Sequence, residues 1–359
     1  MMIKILTFNN INDQKLIKDW NFLYRKTTDQ NQQKHFFSFL NYDLNKIWFD
    51  IYKDLNFQAN IIIIYENDNP ILLIPFYFQK KWLLRIYSFL GDREFDYKNI
   101  LCDYEKFYKV SDLIYSKLSF YFSNNLYLIL LNSISDEFTY HFFNKIFKVK
   151  FKGKYNICSC CESELNLSIP NKIKKRNIAL RKKYNIIYKR IFPNDKSFNF
   201  ILNKLFILKN RQYEKSNSRK MPHKRKLFYE ELSKQSFAHL SYLKINENIA
   251  SIHLGILKGE NFSYILPCYE KKFAKFSPGW IHMEFLMNEC SLNHINKFDL
   301  TIGNESYKSR IKTVEYPLNY FYSSSFRISL ILLFMNLFFK LKNKNMLILI
   351  KKKFLKIKF

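Results

Sequence analysis

Glycine is scarce in this chain of 359 residues, which holds six glycines where a chain of this length at average usage would hold about 25. Lysine, asparagine, isoleucine, phenylalanine and tyrosine are abundant, a pattern typical of an AT-rich coding bias. We therefore discount part of the net charge of +29 as evidence for an anionic partner, and each of the six remaining glycines becomes informative by itself. The 48% hydrophobic and 18% aromatic content excludes a disordered chain.

Long apolar segments and paired cysteines are also missing. The first 14 residues contain asparagines that interrupt any secretory signal, and the longest apolar run, 328–339, is shorter than the roughly 20 residues of a membrane span. The six cysteines are too few and too scattered for a disulfide framework. Cys158 and Cys161 form a C-x-x-C, but no second pair or nearby histidine completes a zinc set. We expect reduced thiols, no metal site and a cytoplasmic protein.

The order of hydrophobic segments and turns repeats in the two halves of the chain. An apolar strand, an Asn-rich turn and a second apolar strand occur at 61–74 and again at 240–257, each preceded by helical segments. This repetition predicts two similar α/β (α+β) domains with mixed, mostly antiparallel sheets flanked by helices, joined near 150–170. Positive charge is concentrated in the second domain, since residues 1–150 carry 19 basic and 16 acidic residues and residues 151–359 carry 40 and 14.

A helix start follows a strand in the second half. Residues 262–266 read as a strand that Pro267 interrupts, and Ser277-Pro278-Gly279 suits the N-cap and first turn of a helix. Unpaired N–H groups at such a start favour a phosphate, and Lys271, Lys272 and Lys275 lie just upstream. The helix should bury a stripe formed by Trp280, Met283, Met287 and Cys290. An ordinary capped helix beside a solvated basic loop remains the alternative.

A short strand with an acidic turn comes next. Residues 297–302 lead into the pattern D-x-x-x-G-x-E-x-Y-K, formed by Asp299, Gly303, Glu305, Tyr307 and Lys308. Glu305 and Lys308 are spaced to pair on one helical turn. The pattern fits either a catalytic group of acids or a purely structural turn.

These motifs, taken together, resemble the CelD/FemAB-like branch of the GNAT acyltransferase superfamily. The resemblance rests on the segments 277–279 and 299–308, on Gly91 followed by Asp96-Tyr97, on the strand 71–76 with Pro75, and on the basic helix 172–183. It covers about residues 35–320. The R/Q-x-x-G-x-G/A phosphate loop of ordinary GNATs is replaced here by Lys275-Phe276-Ser277-Pro278-Gly279.

The resemblance implies a tandem GNAT-like fold with an N-terminal domain at 1–155, an acyl-donor-binding domain at 156–325 and a basic amphipathic tail at 326–359. It implies an N-acyltransferase that moves an acyl group, acetyl in the simplest case, from acyl-CoA to an amine of a sugar or glycan precursor in polysaccharide or cell-envelope biosynthesis. Residues Lys275 to Gly279 and Trp280 would bind the CoA, and no metal is needed.

Residue roles follow from amide chemistry, which requires a neutral amine, a polarised carbonyl and a place for the amine proton. A break at Pro267 would separate its strand from 298–300 and make room for the pantetheine arm. Asp299 or Glu305 could act as the base or orient the amine. Tyr307 could protonate the leaving thiolate, and Lys308 could bind an anionic acceptor. His253 is another candidate base, although a single histidine on a strand is more often structural.

Three other functions fit the sequence. A Fem-type enzyme would use aminoacyl-tRNA as the donor, which the positive charge would also suit. A non-enzymatic nucleic-acid binder would use the charge alone, although no nucleic-acid-binding signature is present. The apolar and basic pattern of 326–359 could instead lie on an anionic membrane from the cytoplasmic side, or pack on the second domain as a terminal helix.

Overall fold

The protein is described by a computed structural model. The described residues are 2–6, 14–31, 34–55, 57–81, 84–92, 94–123, 127–147, 151–162, 171–215, 220–303, 305–311 and 314–324. The tail 326–359 and the side chains of Cys158, Cys160 and Cys161 lie outside this description, so the predictions made for them stay predictions.

The described residues of the first half form six strands and four helices. The strands are β1 (Met2–Leu6), β2 (Phe57–Glu66), β3 (Asn69–Lys81), β4 (Leu84–Phe89), β5 (Leu101–Cys102) and β6 (Tyr127–Ile134). The helices are α1 (Gln14–Gln30), α2 (Tyr42–Tyr52), α3 (Tyr104–Ser123) and α4 (Glu137–Ile146). The 3-10 turns Lys34–Leu40 and Lys53–Leu55 flank α2.

The second half begins with a strand that joins the two halves. Its strands are β7 (Phe151–Glu162), β8 (Ile186–Ile191), β9 (Ala238–Ile245), β10 (Asn248–Lys258), β11 (Asn261–Tyr269), β12 (Lys297–Ile302) and β13 (Val314–Ser324). Its helices are α5 (Asn171–Lys183), α6 (Phe198–Lys215), α7 (His223–Ser233) and α8 (Pro278–Leu292). A 3-10 turn, Lys271–Phe276, precedes α8, and another, Lys308–Arg310, follows β12.

All these strands form one continuous sheet in the order β1-β2-β3-β4-β6-β13-β7-β12-β11-β10-β9-β8, with β5 paired to β3. Neighbours are antiparallel except β4 with β6 and β11 with β12, which are parallel and hold equivalent places in the two halves. The predicted α/β tandem fold with mixed, mostly antiparallel pairing flanked by helices is therefore confirmed, and the two expected sheets are fused into one.

The fusion comes from an exchange of strands between the halves. β7 follows β6 in the chain but pairs with β12 and β13, while β13, which follows β12, pairs with β6 and β7. The boundary expected at residues 155 and 156 falls inside β7. Each half of the sheet is completed by a strand from the other half, so we expect the halves to fold as one unit.

The hydrophobic core explains why the strand segments are so strongly apolar. One cluster is shared by both halves and packs α1, α2, α6 and α7 on one face of the sheet. On the opposite face, α3 and α4 cover the first half and α8 covers the second half. Ile61 and Ile63 face the shared cluster whereas Ile62 and Ile64 face the other, because both faces of β2 are covered. None of the described helices is long and apolar enough to cross a membrane.

Candidate active site

The parallel strands β11 and β12 pair over only three residues and then separate. Asn261, Phe262 and Ser263 pair with Lys297, Phe298 and Asp299, and no pairing follows, although β11 continues to Tyr269 and β12 to Ile302. We call the opening between 264–269 and 300–302 the strand gap. A separation of these strands was predicted, but its expected cause at Pro267 was wrong, because β11 runs through Pro267, which pairs with His253 of β10.

A β-bulge lies at the point where the strands separate. On β10 the register moves from Leu254 to Ile256, whereas on β11 it moves from Leu266 to Ser263, so β11 holds one extra residue at 264–265. A bulge bends its strand and increases the local twist. This bend turns β11 away from β12 two to three residues before Pro267.

Pro267 nevertheless occupies an edge position that suits it. The Glu270 N–H donates to the Ala250 carbonyl of β10 at 2.9 Å, and the alternation of an extended strand then directs the Pro267 carbonyl towards the strand gap. A proline there removes a donor that would have had no partner. The Pro267 carbonyl accepts a hydrogen bond from Lys209 Nζ of α6 at 3.1 Å. Burial lowers the pKa of Lys209, a residue that the sequence analysis did not identify.

Asp299 lies fully buried on β12 where the pairing ends. Its Oδ1 accepts hydrogen bonds from the Tyr97 hydroxyl and the Thr301 N–H, both at 2.7 Å. Its Oδ2 has no hydrogen-bond partner among the described residues. Burial raises the pKa of Asp299 to about 7, and the bonds from Tyr97 and Thr301 oppose that rise. A carboxyl group poised near neutral pH with one free oxygen can accept a proton.

The backbone after Asp299 is strained. Thr301 has φ +59°, which is rare for a β-branched residue, and Gly303 has φ +127°. Such conformations cost of order 1–3 kcal/mol and persist when the surroundings fix them, as they often do at functional sites. The Thr301 N–H is held by Asp299, and its hydroxyl donates to the Tyr264 carbonyl across the strand gap at 3.4 Å. Gly303 is a position that favours glycine, because its φ is positive and a Cβ there would lie 2.5 Å from the Glu305 carboxylate.

The first half of the chain contributes Asp96 and Tyr97 to this site. Burial raises the pKa of Asp96 to about 6, opposed by a hydrogen bond with Thr301 and by the charges of Lys98 and Lys308. Lys98 is buried nearby and donates to Asn132 Oδ1 at 2.8 Å. In the sequence, Asp96-Tyr97 is only one part of the resemblance, which assigned neither residue a role. The strongest sequence signal for a functional role of these two residues is the upstream Gly91, which has φ +76°.

Lys308 is buried, and its ammonium group is hydrogen-bonded to the backbone at the end of β12. Its Nζ donates to the carbonyls of Thr301, Ile302 and Gly303 at 3.1, 3.0 and 3.3 Å. It also pairs with Glu305 Oε2 at 2.9 Å, as the spacing predicted. Glu305 itself is about half exposed. Because these contacts occupy the ammonium group within the chain, they favour a role for Lys308 in fixing the loop over contact with an acceptor.

Tyr307 and Trp280 connect this loop to the helix α8. Their rings pack edge to face with centroids 6.3 Å apart. Burial raises the pKa of Tyr307, so its hydroxyl keeps its proton at neutral pH. In α8 the expected stripe is buried at Met283, Met287 and Cys290, whereas Trp280 is only partly buried.

The start of α8 differs in detail from the predicted cap. Ser277 occupies the N-cap position with Pro278 first in the helix, but it is left-handed (φ 51°, ψ 57°), and its side chain makes no capping bond to any described residue. The N–H groups of Trp280 and Ile281 both bond to the Ser277 carbonyl, at 3.0 and 3.4 Å. Apart from its chain neighbours and the backbone of α8 itself, no described atom lies within 4 Å of a Cβ built at Gly279, so space for a ligand exists beside this residue.

Basic residues surround that open turn. Lys271, Lys272 and Lys275 are exposed in the 3-10 turn before α8. The Nζ of Lys275 lies 5.1 Å from the ring centroid of Phe276, and that ring packs 5.1 Å from Tyr184 at the end of the basic helix α5. The exposed lysines, Phe276 and the open side of Gly279 are the groups that could hold a pyrophosphate.

His253 is buried in a different environment. Its ring stacks on Tyr264 at 4.2 Å, and neither ring nitrogen has a hydrogen-bond partner within the described part of the chain. Burial lowers the pKa of His253 well below its usual value, and the neighbouring His282 and His239 lower it further. These surroundings favour the structural alternative for this histidine. Within the described ranges no three His, Cys, Asp or Glu side chains are grouped to hold a metal ion.

The comparisons with known proteins agree with this geometry. Residues 171–309, less than half of the chain, match the family model of the acetyltransferase (GNAT) domain, and this range contains β11, α8, β12 and the Asp299 loop. No curated protein matches the sequence. Among solved structures the chain is similar to FemX, with a TM-score of 0.61, 11% identity and coverage of 89% of this chain and 97% of that one.

Two further structures share the fold. A conserved protein of unknown function from Bacteroides thetaiotaomicron has a TM-score of 0.54 and 12% identity, covering 90% of this chain and 100% of that one. A tandem GNAT protein from the clavulanic acid biosynthesis pathway has a TM-score of 0.50 and 6% identity, covering 90% and 98%. At these identities the likeness concerns the fold. Residues 171–309 therefore match a GNAT-type acetyltransferase domain, and the chain as a whole shares the fold of FemX and of the tandem GNAT protein.

Proposed function

We propose that this protein is an N-acyltransferase of the CelD-like branch that transfers an acetyl group from acetyl-CoA to the amine of a sugar or glycan precursor. The observation that carries the proposal is Asp299, a buried carboxyl group with a free Oδ2 at the mouth of the strand gap. A carboxyl group in this state is costly to bury without a function, because an unpartnered polar atom loses its hydration and gains nothing in return.

The donor is proposed to lie along β11. The pantetheine arm would occupy the strand gap, where β11 has lost its neighbour and its backbone groups can bond to amides of the ligand. The pyrophosphate would lie beside Gly279, within reach of the lysines of the preceding turn. Backbone N–H groups at the bulge would polarise the thioester carbonyl.

The chemical step follows from the groups around the strand gap. The amine nitrogen attacks the thioester carbon, forming a C–N bond, and the C–S bond breaks. The amine proton passes to Asp299 Oδ2, whose pKa of about 7 suits a base at neutral pH. Tyr307 donates a proton to the leaving thiolate, Glu305 orients the acceptor from the half-exposed loop, and Lys308 holds that loop against the end of β12.

The identities of the acceptor and of the donor are the most specific parts of this proposal. A glycan or polysaccharide amine is favoured by the CelD-like motifs at 277–279 and 299–308. An aminoacyl-tRNA donor is the alternative, since the tandem fold is shared with FemX, although that likeness extends to the fold alone. The two donors differ in salt dependence, because tRNA binding weakens steeply with salt.

The direct test is release of free thiol from acetyl-CoA in the presence of glucosamine, lysine or spermidine as probe amines. We expect turnover with glucosamine, and we expect Asp299→Asn to lower kcat by at least about 100-fold and Glu305→Gln by about tenfold. Turnover by Asp299→Asn at the wild-type rate would remove Asp299 from the mechanism. Salt-sensitive retention of tRNA with no acetyl-CoA turnover would support the alternative donor.

A further inference from the structure

A chain of buried hydrogen bonds ties the start of α8 to the sheet. His282, in the second turn of α8, contacts the Ser241 hydroxyl of β9 through Nε2 and the Ser251 hydroxyl of β10 through Nδ1, both at 2.9 Å. Ser251 also donates to the carbonyl of Pro278, the first residue of the helix, at the long distance of 3.5 Å. His282, Ser241 and Ser251 are each at most 2% exposed.

The Pro278 carbonyl, at one end of this chain of hydrogen bonds, determines which group donates in each bond. The Pro278 carbonyl can only accept, so the Ser251 hydroxyl donates to it, and the Ser251 oxygen then accepts from His282 Nδ1–H. The remaining nitrogen, Nε2, accepts from the Ser241 hydroxyl. One neutral tautomer therefore suits both serine contacts of the ring and the Pro278 carbonyl. Burial keeps the imidazole in this form, lowering the pKa of His282 to about 3.

The start of α8 needs such an external support. Helices are usually fixed at this end by an N-cap side chain, worth about 1 kcal/mol, and Ser277 makes no such bond to a described residue. Its left-handed backbone is also unfavourable for a residue with a Cβ. A strained residue without its own cap keeps its conformation only when neighbouring groups hold it. The contacts from β9 and β10 through His282 are available to do so.

We infer that Ser251 and His282 are positioning residues that hold the turn 277–279 in the geometry that receives the donor pyrophosphate. The inference rests on the proposed function, since it assigns these residues to the donor side of the same site. They contact no substrate in this account. They act by fixing the position of the Gly279 N–H and of the helix start relative to β11.

The chain offers a matched pair of variants to test this inference. Ser251→Ala and Ser241→Ala each remove one buried hydroxyl at 2.9 Å from His282. Ser251→Ala also removes the contact with Pro278, whereas Ser241→Ala also removes one with Tyr188. We expect similar losses of thermal stability in both. We expect the KM for acetyl-CoA to rise about tenfold in Ser251→Ala and less than twofold in Ser241→Ala, with the KM for glucosamine unchanged.

Two histidine variants complete the series. His282→Leu should raise the donor KM most, by about 30-fold or more, and His282→Gln, whose amide can donate and accept, should recover part of that loss. Equal donor KM values in the two serine variants, or full donor affinity in a folded His282→Leu, would overturn the inference. If wild-type protein neither binds nor turns over acetyl-CoA, the proposed function itself fails, which is a separate and recognisable result.

Discussion

The Tyr97 hydroxyl and the Asp299 carboxylate meet at 2.7 Å although they are 202 positions apart in the chain. Tyr97 belongs to the segment that follows β4 of the first half, and Asp299 belongs to β12 of the second. The candidate site is thus assembled from both halves. We therefore expect the first half to be needed for activity, although no ligand site is assigned to it.

Tyr97→Phe removes the bond to Asp299 with little change of shape. Because that bond lowers the pKa of the carboxyl group, its loss should raise the pKa further above about 7 and leave less base at neutral pH. We expect the acidic limb of the kcat/KM profile to move up by about one pH unit. An unmoved limb, with thiol release measured from about pH 5 to 9, would separate Tyr97 from the function of Asp299.

Asp299→Asn should stabilise the protein while it lowers activity. The folded pKa of about 7 lies above the ordinary value of 3.8, so the folded state binds more protons between these pH values and wild-type stability falls as pH rises through that window. Because asparagine does not ionise, the variant has no such loss of stability as the pH rises. Its advantage in free energy of unfolding should grow by up to about 1.4 kcal/mol per pH unit from about pH 4 to 7. Urea denaturation at several pH values measures this, and a constant difference would contradict the assignment.

His253→Leu should show the opposite dependence on pH. The folded pKa lies well below 6.5, so the contribution of the neutral histidine is complete above about pH 6.5 and is lost as pH falls, when the unfolded state takes up a proton. Relative to wild type, the leucine variant should therefore gain stability on going from about pH 7 to 5. Turnover should stay within about threefold of wild type. A loss of 100-fold with normal folding would restore His253 as a candidate base.

Lys308→Met tests whether this lysine fixes the Asp299 loop. The substitution leaves three carbonyls and Glu305 without the shared ammonium, and we expect it to cost about 2–4 kcal/mol of stability and most of kcat. The matched control is Lys271→Met on the exposed turn before α8. It should unfold like wild type but raise the KM for acetyl-CoA. Normal stability in Lys308→Met would contradict the buried role of this residue.

Much of the fold could be predicted from the sequence because the strand segments are strongly apolar and end in clear turns. Asn67 and Asp68 have φ 47° and 62° between β2 and β3, as expected of the Asn-rich turn that was predicted there. The exchange of β7 and β13 between halves could not be predicted, because local patterns carry no information about which distant strand becomes a neighbour.

The candidate site was predicted where the motif was continuous in the sequence. Asp299, Glu305, Tyr307 and Lys308 were proposed from one pattern, and the structure pairs Lys308 with Glu305 and packs Tyr307 against Trp280. Tyr97 was named without a role because its contact with Asp299 is a long-range hydrogen bond, and Thr301 was missed because its strained φ leaves no mark in the sequence. The bulge at 264–265 was missed for a similar reason, since Pro267 gave a stronger local signal than the residues that bend the strand.

The central claim is that the strand gap between β11 and β12 takes the arm of an acyl-CoA. Mass spectrometry of the purified, natively folded protein, before and after addition of acetyl-CoA, tests this claim most directly. We expect one CoA species bound per chain, with weaker binding in Ser251→Ala. Protein that carries no CoA species and takes up none from millimolar acetyl-CoA would contradict it.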